Sequence, residues 1–360
     1  MRDSLEMFPV TVVTGFLGSG KTTLLNHLVR QPGLARTLVL INEFGEIGLD
    51  HDLMSRGSDD AVYVEMASGC LCCTIRGDLV RTLHEAPGRF ARGGEVWFDR
   101  VVIETTGLAD PAPILHTLIA EPKVTQRYQL DGVVTVVDAL NGLDTLNRHP
   151  ESVKQVAMAD RLVLSKTDLV DAQGFEAIAE GLSTINPGAA MECATQSRLE
   201  PGRLLGLGLY EPGSQSVDAK RWLQAEALEN AEHHDHGHHH QDNHHDHGDH
   251  HHDVNRHSVS IRAFCVTRDE PLPLTAMETG LDTLRATLGS GLLRVKGLLN
   301  IAGHTTPVVI HGVQHVLHAV DVLDAWPGED RRTRIVFITD GIPRERIEGM
   351  LNAFIGSKPP

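Results

Sequence analysis

The sequence predicts an α/β fold: a mainly parallel sheet flanked by helices, followed by a small C-terminal α+β domain. Three observations carry this expectation. Short β-branched runs alternate with helix-spaced stretches through the first half of the chain, the rhythm of a sheet built by crossovers. The first run, residues 10–14 (V-T-V-V-T), breaks at Gly15 and resumes at Lys21 as a helix, so a glycine-rich turn joins strand to helix. Across residues 201–213 glycine and proline rise and the rhythm is lost. Beyond a histidine-rich tract, alternating strands interrupted by two helices take over. At 360 residues the chain exceeds one ordinary domain. Residues 1–215 are assigned to the first domain, 216–257 to a His- and Asp-rich disordered linker and 258–360 to the second.

The turn after the first strand reads G-F-L-G-S-G-K-T and meets every position of the phosphate-loop pattern. Its candidate contacts are Gly15, Phe16, Leu17, Gly18, Ser19, Gly20, Lys21, Thr22 and Thr23. Gly15, Gly18 and Gly20 permit positive φ, which lets backbone N–H groups close around phosphate oxygens. Lys21 can reach the β- and γ-phosphates, and the Thr22 hydroxyl can ligate Mg²⁺. The first turn of the helix adds its dipole to the same anion.

Residues 36–41 (R-T-L-V-L-I) read as a second buried strand running into N-E-F-G-E-I-G-L-D, residues 42–50. Such a loop lies beyond the carboxyl end of a strand, where ligands of open α/β sheets gather. Glu43 and Glu46 there can face Mg²⁺, the attacking water or a second metal; a solvated acidic turn is the other reading. Residues 61–66 (A-V-Y-V-E-M) are a third strand, followed by A-S-G-C-L-C-C-T. Cys70, Cys72 and Cys73 can converge on one soft or borderline cation such as Zn²⁺, leaving a fourth position open for handing the metal on. Buried small hydrophobes and a redox switch are the competing readings. Arg76 and a helix start near Gly77 would help keep the thiols ionised.

Residues 97–104 (W-F-D-R-V-V-I-E) form a hydrophobic strand ending in an acid, followed by T-T-G. Beside a phosphate loop, Glu104 would orient a magnesium-bound water and the Gly107 N–H would meet the γ-phosphate. The sequence L-A-D-P-A-P then opens a helix with prolines in its first turn. Residues 132–138 and 161–164 are further buried strands. The latter ends in S-K-T-D, similar to the guanine-reading tetrad of Asn or Thr, Lys, any residue and Asp. The Asp168 carboxylate can accept from the guanine N1–H and the exocyclic amine, a donor pair adenine lacks, so GTP is favoured over ATP. The Lys166 stem would cover the base, with Thr167 between them. Ser165 departs from the usual Asn and is expected to make a weaker bridging contact. Residues 193–195 (C-A-T) fall where a further base-contacting loop belongs.

Hydrophobic residues make up 41% of the chain, enough for a normal core. No apolar run approaches the ~20 residues that a membrane span requires, and the N-terminal M-R-D-S-L-E-M-F-P lacks a signal-peptide core. A cytoplasmic protein without a membrane partner is expected. The net charge of −16 disfavours a nucleic-acid partner. Five cysteines, three of them bunched, do not make a disulfide framework. Residues 233–253 hold twelve of the 22 histidines, interleaved with Asp and without a core-forming residue. Such a tract is disordered and suits Zn²⁺, Ni²⁺ or Co²⁺ with little power to choose among them, unless it is an inert polar linker. Downstream, residues 258–267, 291–301, 306–311 and 333–339 read as strands, and 273–288 and 342–354 as helices.

The motifs G-F-L-G-S-G-K-T, N-E-F-G-E, G-C-L-C-C, E-T-T-G-L-A-D-P and S-K-T-D together resemble the CobW-type GTPases. This branch of the P-loop GTPases includes zinc and cobalt metallochaperones. R-V-K-G at 294–297 and H-G-V-Q at 311–314 look like that family's second domain. The resemblance implies a P-loop GTPase domain in which Cys70, Cys72 and Cys73 are the metal-binding thiols. It places the GTP contacts at residues 15–22 and 165–168. The function it implies is a GTP-hydrolysing metallochaperone that loads Zn²⁺ into a client metalloprotein. Alternatives are a cobalt-directed GTPase serving cobalamin synthesis, a metal buffer acting through the His tract, or a switch with no metal cargo. Lys21, Thr22, Glu104 and, as a water-orienting residue, Glu43 form the expected catalytic set. A partner, client or second protomer would complete a slow site.

Overall fold

The computed structural model describes residues 7–42, 61–65, 73–195, 198–206, 260–314, 316–317 and 321–355. The proposed boundaries near 215 and 258, the His tract, Glu43, Glu46, Cys70 and Cys72 lie outside the described residues.

The first unit is a seven-stranded parallel sheet. In chain order its strands are β1 (Phe8–Thr14), β2 (Thr37–Asn42), β3 (Ala61–Glu65), β6 (Arg100–Thr105), β7 (Tyr128–Asp138), β8 (Arg161–Ser165) and β9 (Ala190–Ala194). A separate two-stranded ribbon, β4 (Ala91–Arg92) and β5 (Glu95–Val96), precedes β6. The spatial order is β3-β2-β6-β1-β7-β8-β9. Both faces are covered, which is why the strands read as near-continuous apolar runs. On one face Val13, Val102, Val134 and Val136 pack against Leu24, Leu25 and Leu28 of α1 (Lys21–Leu28). On the other, Val10, Val12, Leu38, Ile103 and Leu162 meet α2 (Cys73–Arg89), α3 (Ala112–Ala120) and the helices that follow. Those are α4 (Pro122–Thr125), α5 (Gly142–Arg148), α6 (Pro150–Ala157) and α7 (Ala172–Ile185).

Register levels the carboxyl ends of the strands. Val13 is opposite Glu104, Glu104 opposite Ile41, and Ile41 opposite Glu65. The loops after β1, β6, β2 and β3 therefore leave one edge at one height. Several boundaries differ from the sequence reading. β7 starts at Tyr128 rather than 132. β6 begins at Arg100 rather than 97, because Asp99 N–H turns to Arg36 O and the buried Trp97 and Phe98 pack ahead of the strand. α2 begins at Cys73 rather than near Gly77.

The second unit is antiparallel. Its strands are β10 (Ile261–Arg268), β11 (Leu292–Leu299), β12 (Val308–Val313), β13 (Val316–Leu317), β14 (Asp321–Val322) and β15 (Thr333–Asp340), in the order β10-β15-β11-β12-β13, with β14 also on β12. The short β13 and β14 were not expected from the sequence. One face carries Phe264, Val266, Val295, Ile335 and Phe337. It is covered by α8 (Leu274–Leu288) and α9 (Arg344–Ile355) through Met277, Leu281, Leu284, Ile347 and Leu351. From the other face Leu293, Val313 and Ile338 join the hydrophobic cluster of the parallel-sheet unit. Among the described residues no helix is long and apolar enough to cross a membrane.

Candidate functional site

The loop between β1 and α1 turns on three glycines with φ of +138° (Gly15), +72° (Gly18) and +90° (Gly20). At Gly15 a Cβ would also sit 2.2 Å from Val136 O, so the position admits nothing larger. Gly20 caps α1 with no side-chain acceptor, which leaves the first-turn N–H groups to an external anion. Lys21 is 8% exposed, and its Nζ donates to Gly15 O at 2.9 Å and Phe16 O at 3.2 Å. The ammonium thus sits inside the loop. Thr22 Oγ1 donates to Glu104 Oε1 at 2.6 Å, joining a hydroxyl and a buried carboxylate. Such a hard oxygen pair, next to a phosphate cradle, fits Mg²⁺. A cavity of about 310 Å³ is lined by Gly18, Gly20, Lys21, Thr22, Glu104 and Gly107, among others. Gly107 packs so closely on Leu17 that a Cβ would come within 2.6 Å of the Leu17 nitrogen. Thr105 Oγ1 donates to Thr14 Oγ1 at 2.8 Å, tying the ends of β6 and β1.

The tetrad after β8 is anchored to the same loop. Ser165 Oγ donates to Ser19 O at 2.6 Å, so the bridge expected to be weak is a short, buried hydrogen bond. Lys166 adopts φ +55°, and its Nζ donates to Gly18 O at 2.9 Å and to Asp138 Oδ2 at 2.6 Å. Burial pushes the Asp138 carboxyl up, but the Lys166 ammonium and the Asn141 and Leu140 donors outweigh it and hold the group below its ordinary range. Thr167 Oγ1 lies 3.2 Å from Thr195 Oγ1, which brings the C-A-T segment to the tetrad. Asp168, next to Thr167, is exposed.

Of the thiol cluster, Cys73 is described as the first residue of α2. Adjacent strands lie about 4.8 Å apart, so Glu65 and Glu104, two strands apart at one level, are separated by about 10 Å. The segment that carries Cys70 and Cys72 starts just past Glu65. Arg76 pairs with Glu121 at 3.4 Å, so its charge is shared with a carboxylate. Among the described residues no group of three or more His, Cys, Asp or Glu is placed to hold a metal.

Three contacts escaped the sequence reading. Gln155 Nε2 donates to Gly107 O and Ala109 O, Lys154 pairs with Asp110, and Asp160 pairs with Arg294 and Lys296. The one signal for the first was a lone Gln inside the apolar stretch V-K-Q-V-A-M-A.

Comparison with known proteins agrees with this geometry. The model of the CobW/HypB/UreG nucleotide-binding domain matches residues 9–192, and that of the cobalamin synthesis protein cobW C-terminal domain matches 261–355. The chain is 31% identical over 348 residues to the zinc chaperone YjiA of Escherichia coli (strain K12), covering 96% of this chain and 98% of that one. It is 33% identical over 263 residues to a zinc chaperone CobW of Sinorhizobium sp, covering 65% and 72%. A zinc-regulated GTPase metalloprotein activator 1 of Schizosaccharomyces pombe shares 33% over 226 residues, covering 61% and 53%. The crystal structure of Zn(II)-bound YjiA GTPase from E. coli superposes with a TM-score of 0.65 at 26% identity, over 97% of this chain and 99% of that one. The chain therefore belongs to the CobW/HypB/UreG nucleotide-binding family and carries the CobW C-terminal domain.

Proposed function

We propose that this chain hydrolyses GTP and uses the cycle to deliver Zn²⁺, bound at Cys70, Cys72 and Cys73, to a client metalloprotein. The reading is carried by one observation: the strand that launches the cysteine segment ends level with Glu104, which is hydrogen-bonded to Thr22 beside the phosphate loop. Relatives named zinc chaperones and a zinc-regulated metalloprotein activator support it.

In this reading the loop N–H groups and the first turn of α1 hold the phosphates, and Lys21 gives up its two carbonyl contacts for the β- and γ-oxygens. Thr22 and Glu104 would hold Mg²⁺, which supplies charge neutralisation between the phosphates. Gly107 N–H meets the γ-phosphate, and Glu43 orients the attacking water. Asp168 reads the guanine edge while Ser165 and Lys166 keep its loop on residues 18 and 19. Loss of the γ-phosphate releases the segments after β2 and β6, and the thiols next to them relax with them. The His-rich tract concentrates metal for that site.

Titration of Zn²⁺ into the purified protein with GDP, then with a non-hydrolysable GTP analogue, tests this directly. We expect affinities that differ about tenfold or more, the range of ordinary allosteric coupling. Equal affinities in the two states would sink nucleotide-driven transfer, and unchanged binding in a Cys72→Ser, Cys73→Ser variant would move the metal elsewhere. Competition by Co²⁺ in the same titration separates a cobalt-directed protein from a zinc-directed one.

A further inference from the structure

Gln155 belongs to neither the phosphate loop nor the base loop, yet it is wholly buried and grips the segment that follows β6. Its Nε2 donates to Gly107 O at 3.2 Å and to Ala109 O at 3.0 Å. Two carbonyl acceptors decide which end of the carboxamide faces the segment, because only the NH₂ can serve both. Its neighbour on α6, Lys154, reaches Asp110 Oδ2 at 2.6 Å. The Gln155 backbone carbonyl accepts from Thr135 Oγ1 of β7 at 2.8 Å, which fixes the main chain of α6 at this residue. Residues 107–110 are therefore held between two walls: Leu17 of the phosphate loop on one side and α6 on the other.

The far end of α6 is fixed as firmly. Asn186 Nδ2 donates to Val156 O, Ala157 O and Ala159 O at 2.8, 3.2 and 3.0 Å. Arg294 of β11 donates to Met158 O at 3.0 Å and pairs with Asp160, which Lys296 Nζ also meets at 2.8 Å. The other Asp160 oxygen accepts Val133 N–H at 2.9 Å. β11 shifts register between Leu292 and Arg294, and Leu293, Arg294 and Lys296 all contribute to the contact with the first unit. A desolvated charge cluster of this kind tolerates little displacement.

We propose that Gln155 is a positioning residue for GTP hydrolysis, setting the Gly107 N–H at the γ-phosphate and, through α6, tying that segment to the C-terminal domain. The inference rests on the GTPase reading above. A γ-phosphate that draws Gly107 toward it pulls on Gln155, and α6 passes the pull to Asp160 and its two cationic partners. The C-terminal domain is then part of the nucleotide-sensing machinery.

The test uses the full chain and the Gln155→Met variant, which keeps the side-chain length and removes both donated hydrogen bonds. We expect kcat for GTP to fall about tenfold to a hundredfold, the cost of a misplaced group. KM and GDP affinity should stay within about threefold, because the base and phosphate loops are untouched. A packing defect alone would not produce that split. Turnover within twofold of the unaltered chain overturns the role of Gln155 alone, whereas no turnover by the unaltered chain overturns the GTPase reading as well. Should the variant fail to fold, amide exchange on the unaltered chain decides. With the β,γ-imido analogue of GTP and Mg²⁺ in place of GDP, slower exchange at 107–110 must be accompanied by a change at 150–160 and 292–297. A change confined to 107–110 overturns the coupling.

Discussion

Single side chains in this site act by holding backbone in place. Ser165 stands where a guanine-reading tetrad usually has Asn, and its hydroxyl meets Ser19 O at 2.6 Å in a buried setting. Ser165→Ala removes the donor and leaves that carbonyl buried, a loss of about 1–3 kcal/mol. Urea unfolding should show a lower midpoint, and calorimetry a weaker GDP affinity. Lys21 lies inside its own loop, bonded to two carbonyls, so the loop is shaped around a cation. Lys21→Ala should lower the single-turnover rate of GTP hydrolysis by about 10²–10³, the usual effect of deleting one preorganised donor.

Elements set the height at which these side chains meet. The C-terminal ends of β1, β2, β3 and β6 are level, and the clearance between Gly107 and Leu17 is too small for a methyl group. Gly107→Ala should therefore displace the segment after β6, cutting GTP turnover by about tenfold or more while GDP binding changes little. The phosphate loop and S-K-T-D are legible in the sequence because their chemistry is local: a strand, a glycine turn, a lysine and a hydroxyl within a few residues. Glu104 is legible as an acid that closes a hydrophobic strand. Gln155 is not, since its acceptors lie 48 and 46 residues away. Asp160 is not either, since Arg294 is 134 residues distant and a sequence carries no distance between helix ends and a second domain. The start of α2 at Cys73 escaped for a local reason: Cys and Thr open the helix before Arg76 and Gly77, where the helical pattern becomes visible.

At the scale of the molecule the contact between units is both apolar and ionic. Burial raises the Asp160 carboxyl, but the Arg294 and Lys296 charges and the hydrogen bonds from Lys296 and Val133 outweigh it and hold the group far below the carboxylate range. The folded form thus binds a proton less readily than the unfolded chain. The stability this supplies is whole above about pH 5 and declines as pH falls below the ordinary Asp value of about 3.9. Urea midpoints measured from pH 7 to pH 3 should drop at the acid end, and less steeply in Asp160→Asn. That variant should be less stable at pH 7 by about 3–5 kcal/mol, because two cations keep their burial and lose the carboxylate they share. The C-terminal sheet is sheathed on both sides, by its own two helices and by the parallel-sheet unit, with Leu293, Val313 and Ile338 shared between the halves. Covalent continuity is then dispensable to their union. A protease site inserted within 207–259 and cleaved to completion should yield two fragments that co-elute as a one-to-one pair, and separately expressed halves should find each other in the same way.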